Sequence, residues 1–200
     1  RNKRGFKMGL SKGIDFFFGL GSVAYYVSLS VAALSEGSQK GSSVLKKICS
    51  MSPSMMAKYL KAKRECKREN RPLKPKDIFR LKGFLCAGTD NHCYKDDLED
   101  LWGVRPVEVF SGTEPSCIGT ETWNRNGLYF FPDACFYEFI PEREMEKNMA
   151  DPTYQPSTVL WDEVVAGGVY EIVLTVFKGG AFARYRVGDV FRCIGIGSKT

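Results

Sequence analysis

The chain has 200 residues, 44% of them hydrophobic and 26% charged, the balance of a globular, core-forming protein and not of a disordered one. Seven scattered cysteines with no Cys-x-x-Cys pair and a single histidine argue against a zinc site and suit a reducing, cytoplasmic compartment. The net charge of +6 is concentrated: ten Lys/Arg against three acids between Lys58 and Arg80 make a local +7, so the remainder sums to −1.

In chain order, residues 1–13 are basic and read as loop. The nineteen uncharged residues from Phe16 to Leu34 approach the length of a membrane span or of a signal peptide's apolar region, with lysines and arginine on one side. Three serines, two glycines and the adjoining Asp15 favour a buried helix instead, with Phe16, Leu20, Val23, Val27, Val31 and Leu34 on one stripe. No membrane association is expected. The same stretch holds Gly19-x-Gly21-x-x-Ala24, a weak match to a dinucleotide fingerprint. That motif needs a preceding strand, whereas the flanking runs read as one helix.

Ser43–Met51 and Pro53–Arg71 read as helices, the second started by Ser52 and Pro53 and stopped at Arg71-Pro72. The basic cluster lies on its polar face. Phosphate or nucleic-acid contact is one reading; without interleaved aromatics a solvated face is favoured, and no nucleic-acid partner is expected.

Leu81–Ala87 reads as a strand, Asn91–Trp102 as a helix with Tyr94, Leu98 and Leu101 on one face, and Val107–Phe110 as a second strand. This spacing predicts a parallel pair with ligand-binding loops after the strands, at Gly88-Thr89-Asp90 and Ser111-Gly112-Thr113-Glu114. A hydroxyl beside a carboxylate, as at Thr113-Glu114, can hold a phosphate oxygen and its hard cation, or be a glycine turn with an incidental acid. Gly127–Phe131 and Cys135–Ile140 read as an aromatic hairpin around Pro132-Asp133. Trp123, Tyr129 and Phe131 are either core or the lining of an acyl pocket. Pro141–Thr158 is a polar, acidic excursion with no assigned role.

Gly168–Gly195 is the longest strand pattern, punctuated by Gly179-Gly180. Tyr170, Ile172, Leu174 and Val176 alternate along its first strand. The second carries Tyr185-Arg186-Val187-Gly188-Asp189, read as a glycine turn presenting Asp189. Such a carboxylate could accept hydrogen bonds from neighbouring sugar hydroxyls, or merely pair with Arg186 at a surface corner.

Three loops in this order, Ala87-Gly88-Thr89-Asp90, Phe110-Ser111-Gly112-Thr113-Glu114 and Tyr185-Arg186-Val187-Gly188-Asp189, resemble the adenylate-forming superfamily of acyl-CoA synthetases and adenylation domains. Within it the chain most resembles the auxin-responsive acyl-acid amido synthetase family and its bacterial relatives. The Pro132–Pro141 and Tyr170–Thr175 stretches share the likeness, which is best from about residue 80 onward. The family's Tyr-x-x-(Ser/Thr)-Glu motif appears with Phe110 in place of tyrosine; its Tyr-Arg-x-Gly-Asp motif is intact.

The resemblance implies an α/β fold class: part of the adenylating domain, a mixed sheet with covering helices over residues 1–111, then a β-rich, distorted barrel-like subdomain over 112–200. It implies an enzyme, an ATP- and Mg2+-dependent ligase that activates a small carboxylic acid as acyl-AMP and passes it to an amine, or, as an acyl-CoA ligase would, to a thiol. A noncatalytic basic module is the alternative of another class. By the same resemblance Ala87, Gly88, Thr89 and Phe110 would hold adenine, Phe110 by stacking, with Ser111, Gly112 and Tyr185 completing the nucleotide-binding set. Thr113 would contact the α-phosphate, Glu114 the magnesium and Asp189 the ribose, with Arg186 supporting the nucleotide pocket or the neighbourhood of the reacting carboxylate. The family's Ser/Thr/Gly-rich phosphate loop does not occur before residue 80, and its lysine-bearing C-terminal domain would follow residue 195. The chain is therefore expected to be the later part of the large domain, inactive by itself.

Overall fold

The computed structural model describes residues 5, 8–9, 11–36, 51–88, 91–177 and 182–197. The chain divides into two compact units, Arg1–Glu108 and Val109–Thr200. The architecture is α/β: a five-stranded mixed sheet with helices, and a separate three-stranded antiparallel sheet. Among the described residues there is no closed barrel in the second unit, which corrects the barrel-like expectation. No described helix is long and apolar enough to cross a membrane.

The stretch expected to be one helix is a strand followed by a helix. Strand β1 (Phe16–Leu20) leads directly into helix α1 (Gly21–Glu36). Phe16, Phe18 and Leu20 point outward, at 68, 70 and 51% exposure, while Phe17 packs edge-on to Phe84 with centroids 5.3 Å apart. Phe16 and Leu20 fit a spacing of four on a helix and equally the period of two on a strand, and three consecutive phenylalanines favour the strand. The strand that a dinucleotide fingerprint requires is thus present. The Gly21 N–H at the turn, however, donates to the Asn91 side chain at 3.2 Å, and β1's parallel partner is β2 (Gly83–Ala87), far along the chain. The described positions 8, 9, 11 and 12 are helical where loop was expected. The helix expected over Ser43–Met51 falls almost wholly outside the described residues.

Helix α2 (Pro53–Arg68) starts as expected, the Met55 N–H donating to the Ser52 hydroxyl at 3.4 Å. It buries Met55, Tyr59, Ala62 and Cys66. Its basic face is only partly unopposed: Lys61 lies 3.9 Å from Glu65, and Arg71, just beyond the helix, clamps Asp77 at 2.8 Å. The short helix α3 (Pro75–Ile78) follows, and Asn91–Tyr94, a 3₁₀ turn, opens helix α4 (Lys95–Trp102), which Gly103 closes at φ +74°. The first unit's core centres on Trp102, 1% exposed and within 6.1 Å of the rings of Phe17, Phe79 and Phe84. Its indole N–H donates to the buried Ser28 hydroxyl at 2.9 Å.

In the second unit, β3 (Val107–Gly112) pairs antiparallel with β4 (Ser116–Glu121), and β4 with β5 (Leu128–Phe130). The aromatic hairpin expected across Pro132-Asp133 does not form. Strand β6 (Phe136–Pro141) crosses to the other sheet and pairs with β7 (Val169–Thr175). Proline cannot extend the ladder, and the Tyr137 hydroxyl, donating to the Phe131 carbonyl at 2.9 Å, pins the crossover. β7 is the middle strand, between β6 and β8 (Tyr185–Arg192). Tyr170, Glu171, Ile172, Val173 and Leu174 are therefore all buried, on both faces rather than one. The connection through Gly179-Gly180 lies outside the described residues.

The excursion without an assigned role contains helix α5 (Glu142–Ala150), after which the chain returns alongside β6, Phe139 and Val159 exchanging hydrogen bonds of 2.9 and 2.8 Å. Glu144 gathers the return: its carboxylate takes Lys147 at 2.6 Å, the Tyr154 hydroxyl at 2.7 Å and the Ser157 N–H at 3.0 Å. Lys147 and these two donors hold the carboxyl down at about 2.

Two outcomes follow. Ser28→Ala leaves a buried indole N–H without its acceptor and should cost about 1–3 kcal/mol, read as a lower urea midpoint; an unchanged midpoint would contradict the buried bond. Glu144 is charged at lower pH when folded than its ordinary 4.5, so its stabilisation is full above about 4.5 and fades as pH falls toward 2. The stability gap between parent and Glu144→Gln should accordingly close across that window in acid titrations of the unfolding midpoint.

Candidate functional site

The predicted site residues fall in both units. Ala87 and Gly88 belong to the first. Ala87 ends β2 and is 9% exposed. Gly88 sits at φ +114°, and a Cβ there would stand 3.1 Å from Leu20 Cδ2, so both backbone angle and space call for glycine. Asn91, itself 2% exposed, donates to the Gly88 carbonyl at 2.6 Å while accepting from Gly21, tying this loop to the start of α1. Thr89 lies outside the described residues.

The remaining predicted residues belong to the second unit. Ser111 and Gly112 end β3, and Thr113-Glu114-Pro115 is the tip of a tight hairpin closed at Gly112 opposite Ser116. Ser116 takes φ +62°, the left-handed residue that a three-residue hairpin loop needs. The motif is therefore a hairpin tip, not a loop running on to a helix. Thr113 is exposed; Ser111 and Glu114 are half-buried. Phe110 is 7% exposed, its ring edge-on to Phe191 at 4.9 Å and to Phe130 at 6.1 Å. The residue expected to stack on adenine is a core residue here.

Tyr185 begins β8, and its hydroxyl donates to Glu114 Oε1 at 3.4 Å. Residues 71 apart in sequence thus bring two of the three motifs to one place. From there the strand runs on through Gly188 to Asp189 and Arg192 without reversing. The glycine occupies a bulge: Glu171 faces Val190 and Val173 faces Arg186, so Val187, Gly188 and Asp189 are accommodated opposite Ile172 alone. Gly188 adopts φ +85°, and a Cβ there would meet nothing within 4 Å. A bulge beside a site is a common way to re-aim a side chain. Asp189, at the exit of the bulge, is half-buried.

Arg186 is held by Glu171 and Asn148. Its Nε and Nη2 donate to the two oxygens of Glu171 at 2.7 and 2.6 Å, and its Nη1 to Asn148 Oδ1 at 2.8 Å. The Glu171 carboxylate holds the guanidinium pKa above its usual range. Glu171 is 6% exposed. Neither Glu171 nor Asn148 was singled out from the sequence. The signal for Glu171 was there, an acid inside the apolar run of β7 that burial would oblige to find a cation. Asn148 had none.

Trp123, Tyr129 and Phe131 are 99, 46 and 37% exposed. They are not core residues. Among the described residues no group of three or more acidic, cysteine or histidine side chains could hold a metal by itself. Mg2+ is ordinarily held by one or two carboxylates together with substrate phosphates, so a single half-buried Glu114 suits that cation.

Residues 128–200 match the GH3 family central domain. The match covers the β5–β8 part of the second unit, including Arg186, Gly188 and Asp189, and links it to the auxin-responsive acyl-acid amido synthetases of the adenylate-forming superfamily. No curated protein matches the chain.

Because a Cβ at Gly188 meets open space, Gly188→Ala should carry only the cost of a left-handed backbone, about 1–2 kcal/mol. Denaturant unfolding reads this directly; a stabilised variant would show that the bulge relaxes to another backbone conformation.

Proposed function

We propose that this chain forms part of an ATP-dependent ligase that activates a carboxylic acid as an acyl-adenylate and transfers the acyl group to an amine. One observation carries the reading: the Tyr185–Glu114 hydrogen bond brings the hydroxyl–carboxylate motif and the Tyr-Arg-x-Gly-Asp motif together. The GH3 central-domain match over 128–200 supports it.

In the first step a carboxylate oxygen of the acid attacks the α-phosphorus of ATP, forming an acyl–phosphate bond while pyrophosphate leaves. In the second an amine attacks the acyl carbon and AMP departs, the amine's proton passing to solvent or a base. Both reactants of the first step are anions, so the site must hold them in place and offset their repulsion. Asp189, aimed by the Gly188 bulge, accepts hydrogen bonds from the ribose hydroxyls. The exposed Thr113 hydroxyl donates to an α-phosphate oxygen. Glu114, its Oε1 oriented by Tyr185, would hold Mg2+, which supplies charge neutralisation at the phosphates. Arg186 makes three hydrogen bonds to Glu171 and Asn148 and acts by shaping the strand. Phe110 acts in the same indirect way, as core beneath the motif.

The test is ATP–pyrophosphate exchange by the protein that carries this chain. Glu114→Ala and Asp189→Ala should each lower exchange about 10- to 100-fold, the effect of losing an interaction with a charged group. Parental rates in both variants would reject the assignment. Acceptor assays with amino acids against coenzyme A then distinguish amine from thiol transfer.

A further inference from the structure

Helix α5 and its return segment are joined to β8 by a continuous set of polar contacts. Asn148, near the end of α5, accepts from Arg186 with its Oδ1 and donates with its Nδ2 to the Tyr154 carbonyl at 2.8 Å. Tyr154 in turn donates to Glu144, whose Lys147 and Ser157 partners close the segment on itself. A second tie runs in parallel at the start of β8. Thr158 donates to Glu138 Oε1 at 2.7 Å, Arg184 Nε donates to Glu138 Oε2 at 3.1 Å, and the Arg184 N–H donates to Thr175. Arg184 sits at φ +49°, a conformation that a non-glycine residue keeps only when its surroundings hold it there. Both ties reach the chain on the entering side of the bulge, at Arg184 and Arg186. Arg186 enters it and Asp189 leaves it, with Gly188 between them and no side chain of its own to fix the strand.

We propose that residues 142–158 are a brace for this bulge, and that Arg186, gripped by Glu171 on one side and Asn148 on the other, is a positioning residue that sets where Asp189 stands. A bulge containing a glycine has several accessible backbone conformations, and the hydrogen bonds of a two-strand ladder do not choose among them. Three charge-assisted bonds to one planar guanidinium fix both its direction and its distance from β7 and α5. The excursion is thereby coupled to the ribose grip without touching substrate. The proposal rests on the nucleotide reading above for Asp189's role, but the mechanical coupling stands on the contacts alone.

The experiment uses the protein that carries this chain, with Asn148→Ala and Asn148→Asp. Alanine is a good helix former, so α5 itself should persist. Two quantities are read: amide hydrogen exchange over Arg186–Val190, and the Kd for ATP with Mg2+ by titration calorimetry. Asn148→Ala should speed exchange across the bulge and raise the ATP Kd about fivefold, the effect of one net hydrogen bond. Asn148→Asp, which keeps an acceptor for Arg186 but loses the donor to the Tyr154 carbonyl, should recover part of both losses. Parental exchange rates and Kd in Asn148→Ala would overturn the brace. Faster exchange with an unchanged Kd would reduce it to a purely structural contact and overturn the positioning role. A parental protein that binds no ATP would instead reject the nucleotide reading, a result distinguishable because the exchange measurement does not involve nucleotide.

Discussion

The second unit depends on how a carboxylate is accommodated inside an apolar strand. Glu171 lies in the middle strand of a three-stranded sheet, flanked by Tyr170 and Ile172 and 6% exposed. A buried carboxylate is tolerable only with a cation and well-made hydrogen bonds. Arg186 supplies both bonds in bidentate form, which obliges β8 to stay at one register against β7 even though a two-residue excess must be absorbed in the bulge. Electrostatics and backbone geometry are therefore one constraint: the pair fixes the strand, and the strand directs Asp189.

The same logic separates residues that could meet a ligand from those that hold the site's shape. Thr113 and Glu114 stand on a hairpin tip whose turn geometry is set by Ser116, and Tyr185 reaches across to one of the Glu114 oxygens. Phe110, in the same motif, is committed to a ring cluster with Phe130 and Phe191. Strand alternation sends neighbouring motif residues to opposite faces, so one pentapeptide can supply both a core anchor and polar groups. A motif's conspicuous aromatic need not be the part that faces the ligand.

In the first unit the corresponding work is done by amides and hydroxyls rather than ions. Asn91 joins the Gly88 carbonyl to the Gly21 N–H, and Ser28 receives the Trp102 indole. Both are buried neutral groups, worth little individually in water but costly to leave unmatched in a packed interior. Each joins segments distant in sequence, which is why neither was visible as a pattern.

Much of the local structure was legible in the residues themselves. Ser52-Pro53 marks a helix start, Gly103 a helix end, and short apolar runs the strands within Leu81–Ala87 and Tyr170–Thr175, because capping, left-handed glycine and strand-length apolar runs act over a few neighbours. The glycines at Gly112–Glu114 and Gly188-Asp189 likewise marked interruptions of regular strand, a hairpin tip and a bulge. What only tertiary structure decided was partnership: that Phe16–Leu20 is a strand alongside β2, that β5 and β6 part into different sheets, that Arg186 answers Glu171, and that the 142–158 excursion reaches back to it. The physical reason is that local propensity leaves helix and strand nearly balanced in short apolar runs, and a buried charge selects its counter-ion by distance in space, which spacing along a chain does not encode.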